Sequence, residues 1–137
     1  MSATEVKSPR FRQGEATRRL VLGDEHVSRM AAATTPFDAP FQALITEGAW
    51  GHVWSRDEFS KRERSIVTIA LLAALGHHDE MAMHIRATAR TGASAEDIRE
   101  ALLHVAIYAG VPAANSAFRI AKQVLAEMES DKAGADQ

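Results

Sequence analysis

The sequence predicts an all-α fold, and three observations carry that reading. Apolar residues make up 46% of the chain while aromatic residues are only 6%, so the excess lies in small aliphatic side chains, alanine above all, which favour helix. Apolar positions recur at helical spacing, as in Ile98, Ala101, Leu102 and Val105. Capping signals bracket those runs: Ser60 with Glu63 opens one, and Gly76 and Gly92 close two. At 137 residues there is room for one core. The expectation is a single-domain helical bundle of about six to seven helices over residues 13–128, oligomeric, between a mobile N-terminal arm (1–12) and a polar C-terminal tail (129–137).

Taken in order, GEATRRLVL predicts a short helix ending at Gly23, and Asp24 caps a second, DEHVSRMAAAT. Thr35-Pro36 and Ala39-Pro40 break the pattern, because proline pushes the residue before it out of the α region. FQALITEGAW resumes it. GAWGHVWSRDEF, residues 48–59, is expected to be an irregular link that holds both tryptophans, Trp50 and Trp54. SIVTIALLAAL is apolar around most of its circumference, which predicts burial between other helices. The His77 helix follows and runs to Gly92; Ser94 starts the next, and Gly110-Val111-Pro112 sets off the last. His104 and Tyr108, one turn apart, are expected to pack within the core.

A formal charge of −2 shows no basic bias, so nucleic acid and anionic membrane are not expected partners. The absence of cysteine excludes disulfides, thiolate nucleophiles and cysteine-ligated metal. No apolar run is long enough for a signal peptide core or a membrane span, and a cytoplasmic protein is expected. Alanine-rich helices that are apolar on more than one side predict a homo-oligomer.

Chemistry concentrates between Ser60 and Gly92. His77, Glu80 and His84 stand at offsets of three and four, so a continuous helix carries them along one face. Glu80 next to His84 is expected to raise the imidazole's pKa and fix its tautomer. Trp50 and Trp54 serve either as core anchors or as pocket walls, and Arg56 beside them is a candidate clamp for a carboxylate.

Four blocks, RRLVLGDEHV, TEGAWGHVWSR, RERSIVTIALLAALGHHDEMAMHIRAT and LLHVAIYAGVPAANSAFRIAK, appear in an order that resembles the carboxymuconolactone decarboxylase family. That family belongs to the wider alkylhydroperoxidase-like group of helical proteins. The alkylhydroperoxidase branch carries Cys-x-x-Cys-x-x-x-His; here those cysteine positions fall on His77 and Glu80 and the histidine on His84, so thiol redox chemistry is impossible. The resemblance implies a helical homo-oligomer, commonly a hexamer, that works without metal or organic cofactor in protocatechuate catabolism.

Its implied substrate is an unsaturated lactone bearing two carboxylates. On that basis Arg56 grips the arm carboxylate and Trp54, with Trp50, shapes the pocket. His77 or His84 donates to the dienolate oxygen, and His84 or a protonated Glu80 supplies the proton. Two other readings stand beside this one. The same three side chains suggest a metal-dependent enzyme, although i, i+3, i+7 spacing spreads the end ligands by about 10 Å along a helix. A non-catalytic oligomeric binding protein is the other.

Overall fold

The computed structural model describes residues 7–135, whose regular structure is all helical, with no strand among the described residues. Among the described residues there are seven α-helices, α1 (Pro9–Leu22), α2 (Asp24–Ala33), α3 (Ala39–Ile45), α4 (Lys61–Leu75), α5 (His78–Thr91), α6 (Ala95–Tyr108) and α7 (Val111–Ala135), with a π-helical segment, Thr46–Trp54, between α3 and α4. They fall into two compact units that divide between Phe59 and Ser60.

In the first unit, α1 starts earlier than the arm expected over residues 1–12 allows. Ser8 caps it by accepting from the Phe11 amide at 3.0 Å, and Pro9 occupies the first turn, where its missing N–H costs nothing. Residues 1–6 of that arm lie outside the described residues. α1 packs chiefly on the π segment, and the approach is close enough to require glycine. A Cβ on Gly14 would sit 2.0 Å from the Thr46 carbonyl oxygen, and one on Gly51 would sit 2.8 Å from Arg10 Cδ.

This contact explains why residues 48–54, expected as an irregular link, are helical. Gly48 and Gly51 weaken intrinsic helix propensity, but Gly51 is where α1 passes, and tertiary packing overrides propensity. Thr46, Trp50 and Trp54 recur every four residues and are buried. Ser55 Oγ donates to the Trp50 carbonyl at 2.7 Å and lies 2.7 Å from Thr17 Oγ1, which fixes the end of the segment to α1.

The second unit is a four-helix bundle of α4, α5, α6 and α7. Its start matches the sequence reading. Ser60 and Glu63 form the reciprocal capping box, each side chain satisfying a backbone N–H that the first turn leaves without a partner. Gly76 ends α4 in the left-handed region at φ 76°, which a Cβ would disfavour.

Ile69, Met81, Ile85, Ile98 and Leu102 are at most 2% exposed and fill the core, with Ala114, Ala117 and Ala121 of α7 closing it. Full burial of each large side chain contributes roughly 1.5–3 kcal/mol. Ser65 and Thr91 hydroxyls meet at 2.7 Å between α4 and α5, and Arg86 pairs with Glu127 between α5 and α7.

Two expectations fail here. α7 runs on through the polar segment expected to be a tail from residue 129, as far as Ala135; residues 136–137 lie outside the described residues. His104 and Tyr108 stack at 6.2 Å with 12° between their planes, but on the surface, with Tyr108 85% exposed. The core-facing stripe of α6 ends at Val105, because the next turn reaches the end of the helix.

Candidate active site

α5 buries Met81, His84, Ile85, Ala87 and Thr88, and Met81, His84, Ile85 and Thr88, at offsets of three, four and seven, define its inward stripe. His84 therefore sits in an apolar setting, 7% exposed, between fully buried Met81 and Ile85 in sequence. Burial lowers its pKa to about 4, since a charged imidazole loses hydration there. This reverses the expected upward shift. Glu80 is exposed in the first turn of the helix and offsets none of the burial effect.

The three residues expected on one helical face do not share one environment. His77 is the N-cap of α5, with φ −85° and ψ 75°, so its backbone has left the helical path that the spacing argument assumed. The left-handed turn at Gly76 causes this, because the chain must change direction there before α5 begins. His77 and Glu80 are both exposed, and His84 is buried. Among the described residues no group of three or more His, Asp or Glu side chains is arranged to hold a metal ion. The donor set proposed for a metal-dependent enzyme is thus spread between surface and core.

In the N-terminal unit the structure does bring Trp50 and Trp54 together. Their ring centroids are 5.1 Å apart at 34°, and both residues are buried, at 5% and 6% exposure. Arg56 follows the π segment on the surface, its amide donating to the Val53 carbonyl at 3.2 Å and its Nη2 to Glu58 Oε1 at 3.3 Å. An internal carboxylate thus already engages the guanidinium expected to clamp a ligand.

Residues 39–123 match the family model described as Carboxymuconolactone decarboxylase family. The chain is 42% identical over 119 residues to 4-carboxymuconolactone decarboxylase of Acinetobacter baylyi, covering 87% of this chain and 89% of that relative. The chain belongs to the carboxymuconolactone decarboxylase family. It is also 36% identical over 118 residues to nitrosuccinic acid decarboxylase npaB of Metarhizium robertsii, covering 86% of this chain and 82% of the relative. Both relatives are named as decarboxylases.

The stretch matched by the carboxymuconolactone decarboxylase model begins at the first residue of α3 and includes the π segment and α5. It therefore contains every residue singled out above as a candidate. Among the described residues no helix is long and apolar enough to cross a membrane.

Sequence reasoning passed over one charged residue that the structure buries. Arg18 lies on the inward stripe of α1 with Gly14, Val21 and Leu22 and is 8% exposed. The signal was present: offsets of four, seven and eight put a guanidinium among apolar and glycine positions on one helix face.

Proposed function

We propose that the protein is a carboxy-lyase that converts 4-carboxymuconolactone to 3-oxoadipate enol-lactone in protocatechuate catabolism. The observation that carries this reading is the 42% identity over nearly the full length of a relative bearing that name. The chemistry is consistent with a chain that supplies only imidazole, carboxylate, guanidinium and hydroxyl groups. Breaking the bond to the ring carboxyl releases carbon dioxide and leaves an electron pair. That pair moves through the ring double bond into the lactone carbonyl, giving a dienolate, which takes a proton at the carbon next to the carbonyl. The substrate is its own electron sink, and so the reaction runs without metal or organic cofactor.

The roles follow from chemistry of each group. His84, lowered to about 4, is a neutral imidazole at neutral pH before substrate binds. A dianionic substrate near it favours the imidazolium, which makes His84 the acid that protonates carbon. His77 is then the N–H donor for the dienolate oxygen; should a protonated Glu80 supply the proton, neutral His84 can be that donor. Arg56, beside the rings of Trp54 and Trp50, is the candidate to hold a carboxylate in exchange for Glu58. Nitrosuccinate obeys the same logic, since loss of the carboxyl beside its nitro group leaves a nitronate, so it is a natural second substrate to assay.

The protein acts as a cytoplasmic homo-oligomer, with a hexamer as the family's implied form. Val67, Leu71 and Leu75 support this, forming an exposed apolar stripe along α4 with four-residue spacing.

The decisive assay follows lactone consumption by ultraviolet absorbance. Wild-type protein is expected to consume the lactone, and His84→Gln to lose at least about a hundredfold in kcat, the lower end for removal of a general acid. Purified protein that leaves the lactone unchanged overturns the assignment and favours a binding or scaffold role. Full activity in His84→Gln transfers the proton to another residue.

A further inference from the structure

The N-terminal unit contains a cavity of about 620 Å³ bounded by α1, α2, α3 and the start of the π segment. That volume is in the range of small-molecule sites. Arg18 lines it while being 8% exposed. Its Nη1 donates to Gln42 Oε1 at 3.3 Å, and its Nε is buried with no hydrogen-bond partner among the described residues. A guanidinium carries five N–H donors in a planar fork, and leaving a buried charge without a counter-ion is costly.

The other charges around the cavity are engaged elsewhere. Glu15 is held by Lys7 at 3.9 Å and by Arg19 at 3.7 Å, and Glu47 accepts from Ser8 Oγ at 3.0 Å. Burial lowers the Arg18 pKa, and the charge of Glu15 acts against that shift as the smaller of the two causes. Three cations (Lys7, Arg18, Arg19) and two carboxylates (Glu15, Glu47) line the space, a net of one positive charge. The rest of the wall includes Phe11, Val27, Ala31 and Ala43.

We propose that this cavity is a binding site for a small organic acid, which docks a carboxylate on the Arg18 fork and lays its apolar body against Phe11 and Val27. Gln42 completes the site: with its oxygen turned to Arg18, its amide NH₂ is left to donate to the same carboxylate. A fork–carboxylate pair is directional as well as charged, which is why arginine and not lysine suits this position. The site does not depend on the decarboxylase reading. The acid is either the lactone substrate, its arm carboxylate then resting on Arg18 in place of Arg56, or a separate metabolite, and the chemistry at Arg18 is the same for both.

The probe is benzoate, titrated into the full-length protein by calorimetry and thermal melting at matched ionic strength, with inorganic phosphate as control. Wild-type protein is expected to bind benzoate saturably and to melt higher with it, with no comparable effect from phosphate. Gln42→Glu puts an internal carboxylate beside Arg18, so that variant should melt no lower than wild type without ligand and lose the benzoate effect. Arg18→Lys keeps the charge without the fork and should weaken binding by at least about tenfold; it decides the matter should Gln42→Glu not fold.

Lactone KM separates the two sources. It rises in Gln42→Glu in parallel with the loss of benzoate binding if the substrate's carboxylate sits here, and stays unchanged if a separate acid does. An absence of saturable benzoate binding by wild type, an equal response to phosphate, or wild-type affinity in both variants overturns the proposal. Because calorimetry reads binding alone, a protein that fails to turn over the lactone leaves this test intact.

Discussion

Arg62 holds Asp97 through two parallel bonds, Nε to Oδ2 at 2.8 Å and Nη2 to Oδ1 at 2.6 Å, and so ties the first turn of α4 to the first turn of α6. The same carboxylate accepts the Ser94 amide at 2.9 Å as part of the α6 capping box. These contacts, the Arg62 bond foremost, lower the Asp97 pKa to about 2 from an ordinary 3.8. A group whose folded pKa is depressed gives stability that is complete above its unfolded pKa and lost as pH falls through the folded one. Acid unfolding between about pH 4 and pH 2 should therefore include this carboxylate. Asp97→Asn is expected to flatten that part of the stability profile, read as urea midpoints across the range; an unaltered slope would remove Asp97 from the account.

His84 should dominate a different window. Its unfolded imidazole titrates near 6.5 and its folded one at about 4, so the unfolded chain takes up a proton first as pH falls. The contribution is complete above pH 6.5, declines through the interval and is gone near pH 4. A shift of this size is on the order of 3 kcal/mol. Denaturant unfolding of wild type at pH 7 and pH 5 should show a marked loss at the lower value, and His84→Gln should show much less of it. Equal loss in the two proteins would assign the effect to other groups.

These two residues also show what could be read from the sequence. The capping boxes at Ser60 and Ser94, the Gly76 terminus and the inward stripe of α6 are local, fixed by residues three or four apart, and they stand as expected. The π segment was not readable in the same way, because Gly51 makes sense only once Arg10 and Gly14 of α1 lie against it. His77 was misplaced for a related reason. Spacing arguments presume a continuous helix, and the chain turns at Gly76 before α5 begins. Likewise periodicity placed Tyr108 on a face without saying that the buried stripe stops one turn before the end of α6, and the sign of the His84 shift depended on burial that sequence alone does not measure.

The two glycines nearest in role to one another make a matched test of the α1 contact. A Cβ on Gly14 meets the Thr46 carbonyl oxygen at 2.0 Å, which is backbone and cannot swing aside, whereas one on Gly48 meets nothing within 4 Å. Gly14→Ala is expected to cost roughly 1–3 kcal/mol, as overpacking does. Gly48→Ala should be neutral or slightly stabilising through the unfolded chain. Urea unfolding of both proteins checks the pair. Equal stability would mean that α1 and the π segment are not held as closely as described.

Assembly can be tested on α4. Val67, Leu71 and Leu75 are 44%, 57% and 68% exposed and lie on successive turns away from the Ile69 and Ala73 side that enters the core. An apolar stripe of this kind on a small bundle is stable in water when another surface covers it. Leu71→Glu puts a charge at its centre without touching the buried residues. Sedimentation should show wild type as an oligomer and Leu71→Glu as a smaller species, with the helical circular dichroism of the two proteins alike. Wild type that sediments as a monomer at micromolar concentration would refute self-association. An unchanged oligomer in Leu71→Glu would move the interface to another face, where Ile107, Tyr108 and Val111, 78%, 85% and 68% exposed, form the next apolar surface to substitute.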